Sequence, residues 1–269
     1  MLLGFLSRRR FFLLCAAALA SAGVAASAQT APDAAARQAL APSGKLKVGV
    51  YLGSPTSLLR DANGDKGVTY DLGRELAARL GVPFEVVEYP RVAAVVEALK
   101  AGQVDFTVSN ATPARAKDVD FTPPILALEL GYLVPPGGKI AAPADIDRPG
   151  VKVGVTQGSS SQGKLAGELK AAVLVTAPTV PAAIELLKTG GIDVFATNKA
   201  ILSEMSDALP GSRILDGRWG LEHMAIGVPQ GRAAGQAYLV SFAADVKTKG
   251  LVQRAAQRAG LRGLAPTEE

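Results

Sequence analysis

Apolar positions along the chain alternate between a period of two, typical of strands, and a period near 3.6, typical of helices. In order, the first part predicts a strand over 45–52, a helix over 71–80, a strand over 83–89, a helix over 91–102 and a strand over 104–109. Leu72, Leu76 and Leu80 share one face of the first helix, and Gly81 ends it. This β-α-β-α-β order predicts a parallel sheet with helices on both faces.

The same unit then occurs a second time. The pattern predicts strands over 128–136, 172–178, 192–198 and 221–229, a strand, turn and helix over 150–169, a helix over 180–191, and one or two helices over 233–260. Two α/β lobes are therefore expected, with the chain crossing near 132–138 and returning near 222–228. We predict lobe 1 over 44–132 plus 226–262, lobe 2 over 133–225, and a tail over 263–269. A cleft between two hinged lobes is where small ligands tend to bind.

The N-terminal segment has the layout of an export signal. Three arginines, Arg8 to Arg10, precede the apolar run "FFLLCAAALASAGVAA" and the small residues "ASA". We expect a signal peptide over 1–28, a flexible Ala/Pro-rich leader over 29–43, and a periplasmic protein. The stretch "SRRRFFL" also resembles a twin-arginine signal, and an ordinary secretory signal is the alternative.

Removing this signal changes the charge and the cysteine content. The chain has 29 Lys and Arg, 24 Asp and Glu, and one Cys. Without the three signal arginines, 26 basic residues remain, and Cys15 is lost with the signal. The expected mature chain therefore has no disulfide or thiol chemistry. Its charge near +2 argues against a nucleic-acid or membrane-surface partner.

Several stretches together resemble the bacterial periplasmic solute-binding proteins that serve amino-acid ABC importers (solute-binding protein family 3). They are "GKLKVGV", "GVTYDLGRELAARLGVPFEVVEY", "ALKAGQVDF", "TPARAKDVDFTPP", "VKVGVTQGSSS", "AIELLKTGGIDVF" and "MAIGVPQG". Their order and spacing carry the resemblance, which extends over about residues 44–262. It implies the type II periplasmic-binding-protein fold, in which two lobes joined by two hinge strands close on a small ligand.

The resemblance also implies how the ligand's carboxylate is held. Arg115, with Thr112 beside it, matches the family's carboxylate-binding arginine, and a planar guanidinium suits bidentate carboxylate binding. The alternative is a solvated charge. Ser159 and Ser160 match the loop that offers backbone amides to the same carboxylate at a helix start. Simple helix capping by serine is the alternative for this loop.

The opposite side of the ligand departs from the family pattern. Where many members place an Asp for the ligand's ammonium, the chain has Asn198. Either another acid substitutes or the ligand has no ammonium. Glu129 and Glu222 lie near the crossings, but surface or hinge salt bridges are the expected role for each. Ala114 replaces an acid of the usual signature, a change without an evident explanation.

The remaining candidates are polar and aromatic residues at strand ends. Asn110 either faces the cleft or only takes part in a turn. Tyr51 is the best aromatic candidate for ligand contact, while Tyr89 and Arg91 are weaker candidates.

The expected function is a monomeric importer component that binds a small carboxylate-bearing solute and delivers it to an ABC permease. No catalytic residue, cofactor or metal is predicted, because Gly-x-Ser-x-Gly, phosphate-loop and His/Cys metal patterns are missing. The alternatives are a cyclohexadienyl dehydratase-like enzyme, which needs a positioned acid, and a ligand sensor for a membrane receptor. His223, the one histidine, is interpreted as a surface or hinge residue rather than a proton relay beside Glu222.

Overall fold

The computed structural model describes residues 32–266, so the predicted signal peptide lies outside the described residues. The helices are α1 (Ala34–Leu40), α2 (Val68–Leu80), α3 (Val92–Lys100), α4 (Ser160–Glu168), α5 (Val180–Lys188), α6 (Lys199–Asp207), α7 (Ala233–Thr248) and α8 (Leu251–Arg258). The strands are β1 (Leu46–Tyr51), β2 (Leu59–Asp61), β3 (Gly64–Lys66), β4 (Phe84–Tyr89), β5 (Thr107–Asn110), β6 (Val119–Phe121), β7 (Leu126–Val134), β8 (Lys152–Thr156), β9 (Val173–Ala177), β10 (Val194–Asn198), β11 (Arg213–Ile214) and β12 (Gly220–Pro229).

The two predicted β-α-β-α-β units are present, and local sequence signals set their ends. Helix α2 buries Leu72, Leu76 and Leu80, and ends where Gly81 adopts the left-handed conformation at φ 66°. Glycine adopts this conformation without a Cβ clash. The short β2–β3 hairpin and helix α6 are additions that the hydrophobic pattern did not predict.

Two long strands, β7 and β12, join the two halves of the fold. They pair with each other in antiparallel register, within a sheet of order β5-β12-β7-β10-β8-β9. The pairs β1–β4, β8–β9 and β8–β10 are parallel. The fold is therefore the expected two-lobed α/β architecture, and its sheet is mixed because the crossing strands run against their neighbours.

Each half has its own apolar core, and β7 contributes to both. Leu128 packs in the core built by α2, α7 and α8, whereas Tyr132 and Val134 pack in the core around β8 and β10. The strand thus changes cores between Leu128 and Tyr132, earlier than the predicted crossing near 132–138. None of the helices in residues 32–266 combines the length and apolar character that a membrane span requires.

The segment after α8 lies along β7 and contacts both halves. Leu264 forms an antiparallel bridge with Leu128, and the N–H of Glu129 donates to the carbonyl of Gly263 at 2.9 Å. Arg262 forms ion pairs with Glu204 and Asp207 of α6. Residues 263–266, part of the predicted tail over 263–269, are therefore attached to the crossing strand.

The prediction of a flexible leader over 29–43 is wrong for residues 34–40, which form α1. Asp33 caps this helix, since its Oδ1 accepts from the N–H of Ala36 at 2.6 Å. Leu40 is only 1% exposed and packs closely on Gly235 of α7. An Ala-rich segment is a good helix former, and the buried leucine fixes it to the core.

We expect Leu40→Ala to lower the free energy of unfolding by about 2–5 kcal/mol, because a buried leucine leaves a cavity when truncated. Urea denaturation measures this loss. Gln38→Ala, on the exposed side of α1, is the matched control and should change stability by less than about 0.5 kcal/mol. Equal effects of the two changes would show that α1 is not docked.

Candidate functional site

One cavity collects the ends of several strands and the starts of several helices. It lies at the carboxyl ends of β1, β5, β8 and β10 and at the N-termini of α3, α4 and α5, with β12 along one wall. The cavity volume is about 50 Å³, enough for a few water molecules. Six of the seven predicted ligand-binding residues line it, namely Tyr51, Asn110, Arg115, Ser159, Ser160 and Asn198.

Arg115 is held at the cavity by a short 3₁₀ turn, Arg115–Lys117, rather than by a longer helix. Thr112 supports this turn: its Oγ1 accepts from the N–H of Arg115 at 3.3 Å, and its carbonyl accepts from Ala116 at 2.9 Å. Thr112 itself does not line the cavity. It therefore supports the backbone turn that carries Arg115.

Arg115 is half-buried, and its guanidinium is only partly hydrogen-bonded. Its Nη1 donates to the carbonyl oxygen of Asn110 at 3.2 Å, while its Nη2 is buried without a hydrogen-bond partner among residues 32–266. Burial lowers the pKa of Arg115 from its usual value, and the nearby Glu222 carboxylate opposes that shift. A buried donor without an acceptor is costly, so this nitrogen is suited to bind an anionic oxygen.

Glu222 is the cavity's carboxylate, and its expected role as a surface or hinge salt bridge is wrong. It is 6% exposed, Ser160 Oγ donates to its Oε1 at 2.5 Å, and Asn198 Nδ2 donates to its Oε2 at 2.8 Å. A signal for this burial was present in the sequence. Because side chains of a strand alternate between faces, Glu222 shares the face of the buried Met224 and Ile226.

Glu129, on the crossing strand β7, forms the salt bridges that were expected of it. Its carboxylate lies 2.6 Å from Lys199 Nζ and 3.4 Å from Arg218 Nη1, outside the cavity lining. His223, adjacent to Glu222, is exposed and lies outside the cavity lining. The two residues therefore do not form a proton relay.

Asn198 positions Glu222 and caps a helix. Its Oδ1 accepts from the N–H of Ile201 at 3.0 Å, so it is the N-cap of α6, and its Nδ2 is the donor to Glu222. Both ends of the amide are thus engaged by the protein. Asn198 lines the cavity, and its amide oxygen is the helix cap because α6, which the sequence pattern did not predict, begins directly after β10.

The two serines at the start of α4 have different roles. Ser159 Oγ accepts from the N–H of Gln162 at 3.1 Å, the capping contact that was the alternative to ligand binding. Ser160 donates its hydroxyl to Glu222 and is the first residue of the helix. The first N–H groups of a helix lack partners within the helix, so the start of α4 also presents donors at the cavity.

Tyr51 and Asn110 both line the cavity, and each side chain forms a hydrogen bond within the protein. Tyr51 donates its hydroxyl to Ser54 Oγ at 3.3 Å, and burial raises its pKa, so the hydroxyl stays protonated near neutral pH. Asn110 Oδ1 accepts from the backbone N–H of His223 at 3.1 Å and ties β5 to β12.

Of the two weaker candidates, one reaches the cavity. Arg91 lines it, and its Nε is buried without a partner among the described residues. Tyr89 packs instead against the apolar cluster that includes Val96 and Leu99. Among residues 32–266, no group of three His, Cys, Asp or Glu side chains is arranged to hold a metal ion.

Comparison with known families identifies the kind of protein to which this cavity belongs. Residues 46–258 match the family model for bacterial extracellular solute-binding proteins, family 3. The chain belongs to this family. The resemblance inferred from the sequence motifs is confirmed, and so is the type II fold of two α/β lobes.

Individual relatives agree with this fold. An ancestral arginine-binding protein bound to arginine has 26% sequence identity and a TM-score of 0.69, covering 80% of this chain and 97% of that one. An ancestral amino-acid-binding protein, AncCDT-1, described as a precursor of cyclohexadienyl dehydratase, has 24% identity and a TM-score of 0.71. That match covers 82% of this chain and 98% of the other.

A curated relative is longer. Membrane-bound lytic murein transglycosylase F of Idiomarina loihiensis is 36% identical over 107 residues, which cover 39% of this chain and 23% of that protein. The chain therefore spans less than a quarter of that relative's length.

A glycine lies at a close approach between α3 and the turn before α4. Gly158, in the turn between β8 and α4, has φ +72°, and a Cβ there would lie 2.5 Å from the Cβ of Ala93 in α3. We expect Gly158→Ala to force the cleft apart and increase the radius of gyration in small-angle X-ray scattering. Adding Ala93→Gly should restore the compact form, because it removes the contacted atom.

Gly190→Ala is the control for the backbone itself. Gly190 has φ +70°, and a Cβ at this position would have no atom within 4 Å, so its substitution carries only the left-handed penalty of about 1–2 kcal/mol. Its radius of gyration should match the wild type. An unchanged radius for Gly158→Ala would show that this contact does not limit how closely α3 and the turn before α4 approach.

Proposed function

We propose that the protein binds a small amino acid in the cavity and delivers it to an ABC importer. The observation that carries the proposal is that one cavity holds both the Glu222 carboxylate and Arg115, whose buried Nη2 has no partner among the described residues. An α-amino acid carries a carboxylate and an ammonium side by side. Arg115 and Glu222 offer the opposite charge to each group.

Arg115 binds the carboxylate in this proposal. A guanidinium can donate two parallel N–H bonds to a carboxylate, and Nη2 is the donor without a partner among the described residues. The N-terminus of α4 adds N–H groups and a favourable dipole from the opposite side of the cleft.

Glu222 binds the ammonium. Asn198 and Ser160 hold its two oxygens in place, and each carboxylate oxygen can accept more than one bond. Glu222 thus replaces the acid that the family pattern places at the position of Asn198. A carboxylate–ammonium contact adds roughly 1.5–3 kcal/mol as a charge-assisted hydrogen bond.

Transport follows from lobe closure. We propose that the protein is exported to the periplasm, acts as a monomer without catalysis, closes its lobes on the ligand by bending β7 and β12, and docks on a membrane permease. Family membership supports this proposal, since the family comprises extracellular solute-binding proteins. Closure excludes water and strengthens the polar contacts inside.

A thermal-shift panel of amino acids, keto acids, dicarboxylates and aromatic acids tests the proposal. A ligand at 100 times its dissociation constant should add about 2.7 kcal/mol to the free energy of unfolding. Arg115→Met should remove the response to the best amino acid, because the methionine keeps the stem and loses both charge and donors.

Lys117→Met is the matched control, since Lys117 lies on the same 3₁₀ turn and is exposed. It should leave the ligand response intact. A panel without an amino-acid response, or a response that survives Arg115→Met, would show that the proposal is wrong.

Glu222 also favours a second candidate, a cyclohexadienyl dehydratase-like enzyme. Such chemistry needs a positioned acid, and Glu222 is a buried carboxyl group in the same cavity as a cationic Arg115. Incubating the protein with prephenate or arogenate and measuring the aromatic product tests this activity. We expect no turnover; product formation that is lost in Glu222→Gln would instead establish the enzyme.

A further inference from the structure

Arg91 is a second cation at the cavity, and the contacts proposed so far do not use it. It directly precedes α3 in an extended conformation, with φ −164° and ψ 165°. Its side chain lines the cavity, and its Nε is buried without a partner among the described residues. Within residues 32–266, Arg91 forms no ion pair.

Two arginines of low exposure outside the cavity are matched by acids. Arg79, with a side chain 19% exposed, pairs with Glu75 and Asp245, and Arg232, 11% exposed, pairs with Asp105. Arg91 lacks such a match within residues 32–266. Its position at a helix start is also electrostatically unfavourable for a cation, and α3 has no acid in its first turn. Structural stability therefore does not account for Arg91.

The charges that line the cavity do not balance. Arg91 and Arg115 are the cations among its lining residues, and Glu222 is the carboxylate. A zwitterionic amino acid bound to Arg115 and Glu222 adds no net charge. One positive charge, that of Arg91, then remains for another part of the ligand.

We propose that Arg91 binds an acidic group in the ligand's side chain, so that the ligand is an anionic amino acid. This inference rests on the proposed function, because Arg115 and Glu222 take the α-carboxylate and the ammonium. The N-terminus of α3, next to Arg91, adds its dipole in favour of an anion. A ligand with a cationic side chain would place like charges together and is disfavoured.

Isothermal titration calorimetry on the purified protein tests the charge of the side chain directly. L-glutamate is compared with L-glutamine, and L-aspartate with L-asparagine, because each pair differs in one charge at nearly constant size. We expect at least one acid to bind about 10- to 100-fold more tightly than its amide. Weak but measurable binding of the amides is enough for this ratio to be determined.

Arg91→Met should bring the acid-to-amide ratio close to one while binding through Arg115 persists. Arg74→Met is the control, since that side chain is 59% exposed on α2, and it should keep the wild-type ratio. The wild-type ratio is informative even if Arg91→Met fails to fold.

Each outcome separates the inference from the proposed function. Equal binding of acid and amide, a preference for a basic amino acid, or a ratio that survives Arg91→Met would overturn the inference alone. The proposed function would then be decided separately, by whether the amino-acid panel gives a thermal shift that depends on Arg115. If none of these four amino acids binds, the inference is overturned, and that wider panel decides the proposed function independently.

Discussion

Fixing the buried Glu222 carboxylate in the cavity is the constraint on which the site depends. A buried carboxylate needs hydrogen bonds to both oxygens, and here they come from Ser160 and Asn198. These partners belong to α4 and to the junction of β10 with α6, while Glu222 belongs to β12. The Glu222 carboxylate therefore fixes α4, the β10–α6 junction and β12 relative to each other. Arg115 lines the same cavity from the other lobe.

The scaffold places these groups by a simple rule. Parallel strands present their carboxyl ends at one edge, and the helices that follow begin there. Tyr51, Asn110 and Asn198 all end strands, while Ser160 begins a helix. This rule does not account for Glu222, which lies within the antiparallel crossing strand β12 and not at a strand end. Its side chain faces the cavity because side chains alternate between the two faces of a strand.

The sequence predicted the fold and the family well, because strand–helix alternation and ordered motifs are local signals. It also indicated Arg115, through its match to the family's carboxylate-binding arginine. It failed where the outcome depended on contacts between distant residues. Glu222 was assigned to a salt bridge because its partners lie 24 and 62 residues away. Leu40 was placed in a flexible leader because its docking site at Gly235 belongs to α7, near the other end of the chain.

The segment after α8 holds the fold by two interactions of different physical character. Its backbone hydrogen bonds to β7 are short-range and nearly independent of salt. Its Arg262 pairs with α6 are partly exposed, with an arginine side chain 46% accessible, and mobile ions screen such pairs. The salt concentration therefore sets how strongly the segment after α8 binds α6. The backbone hydrogen bonds of the same segment to β7 are nearly unaffected.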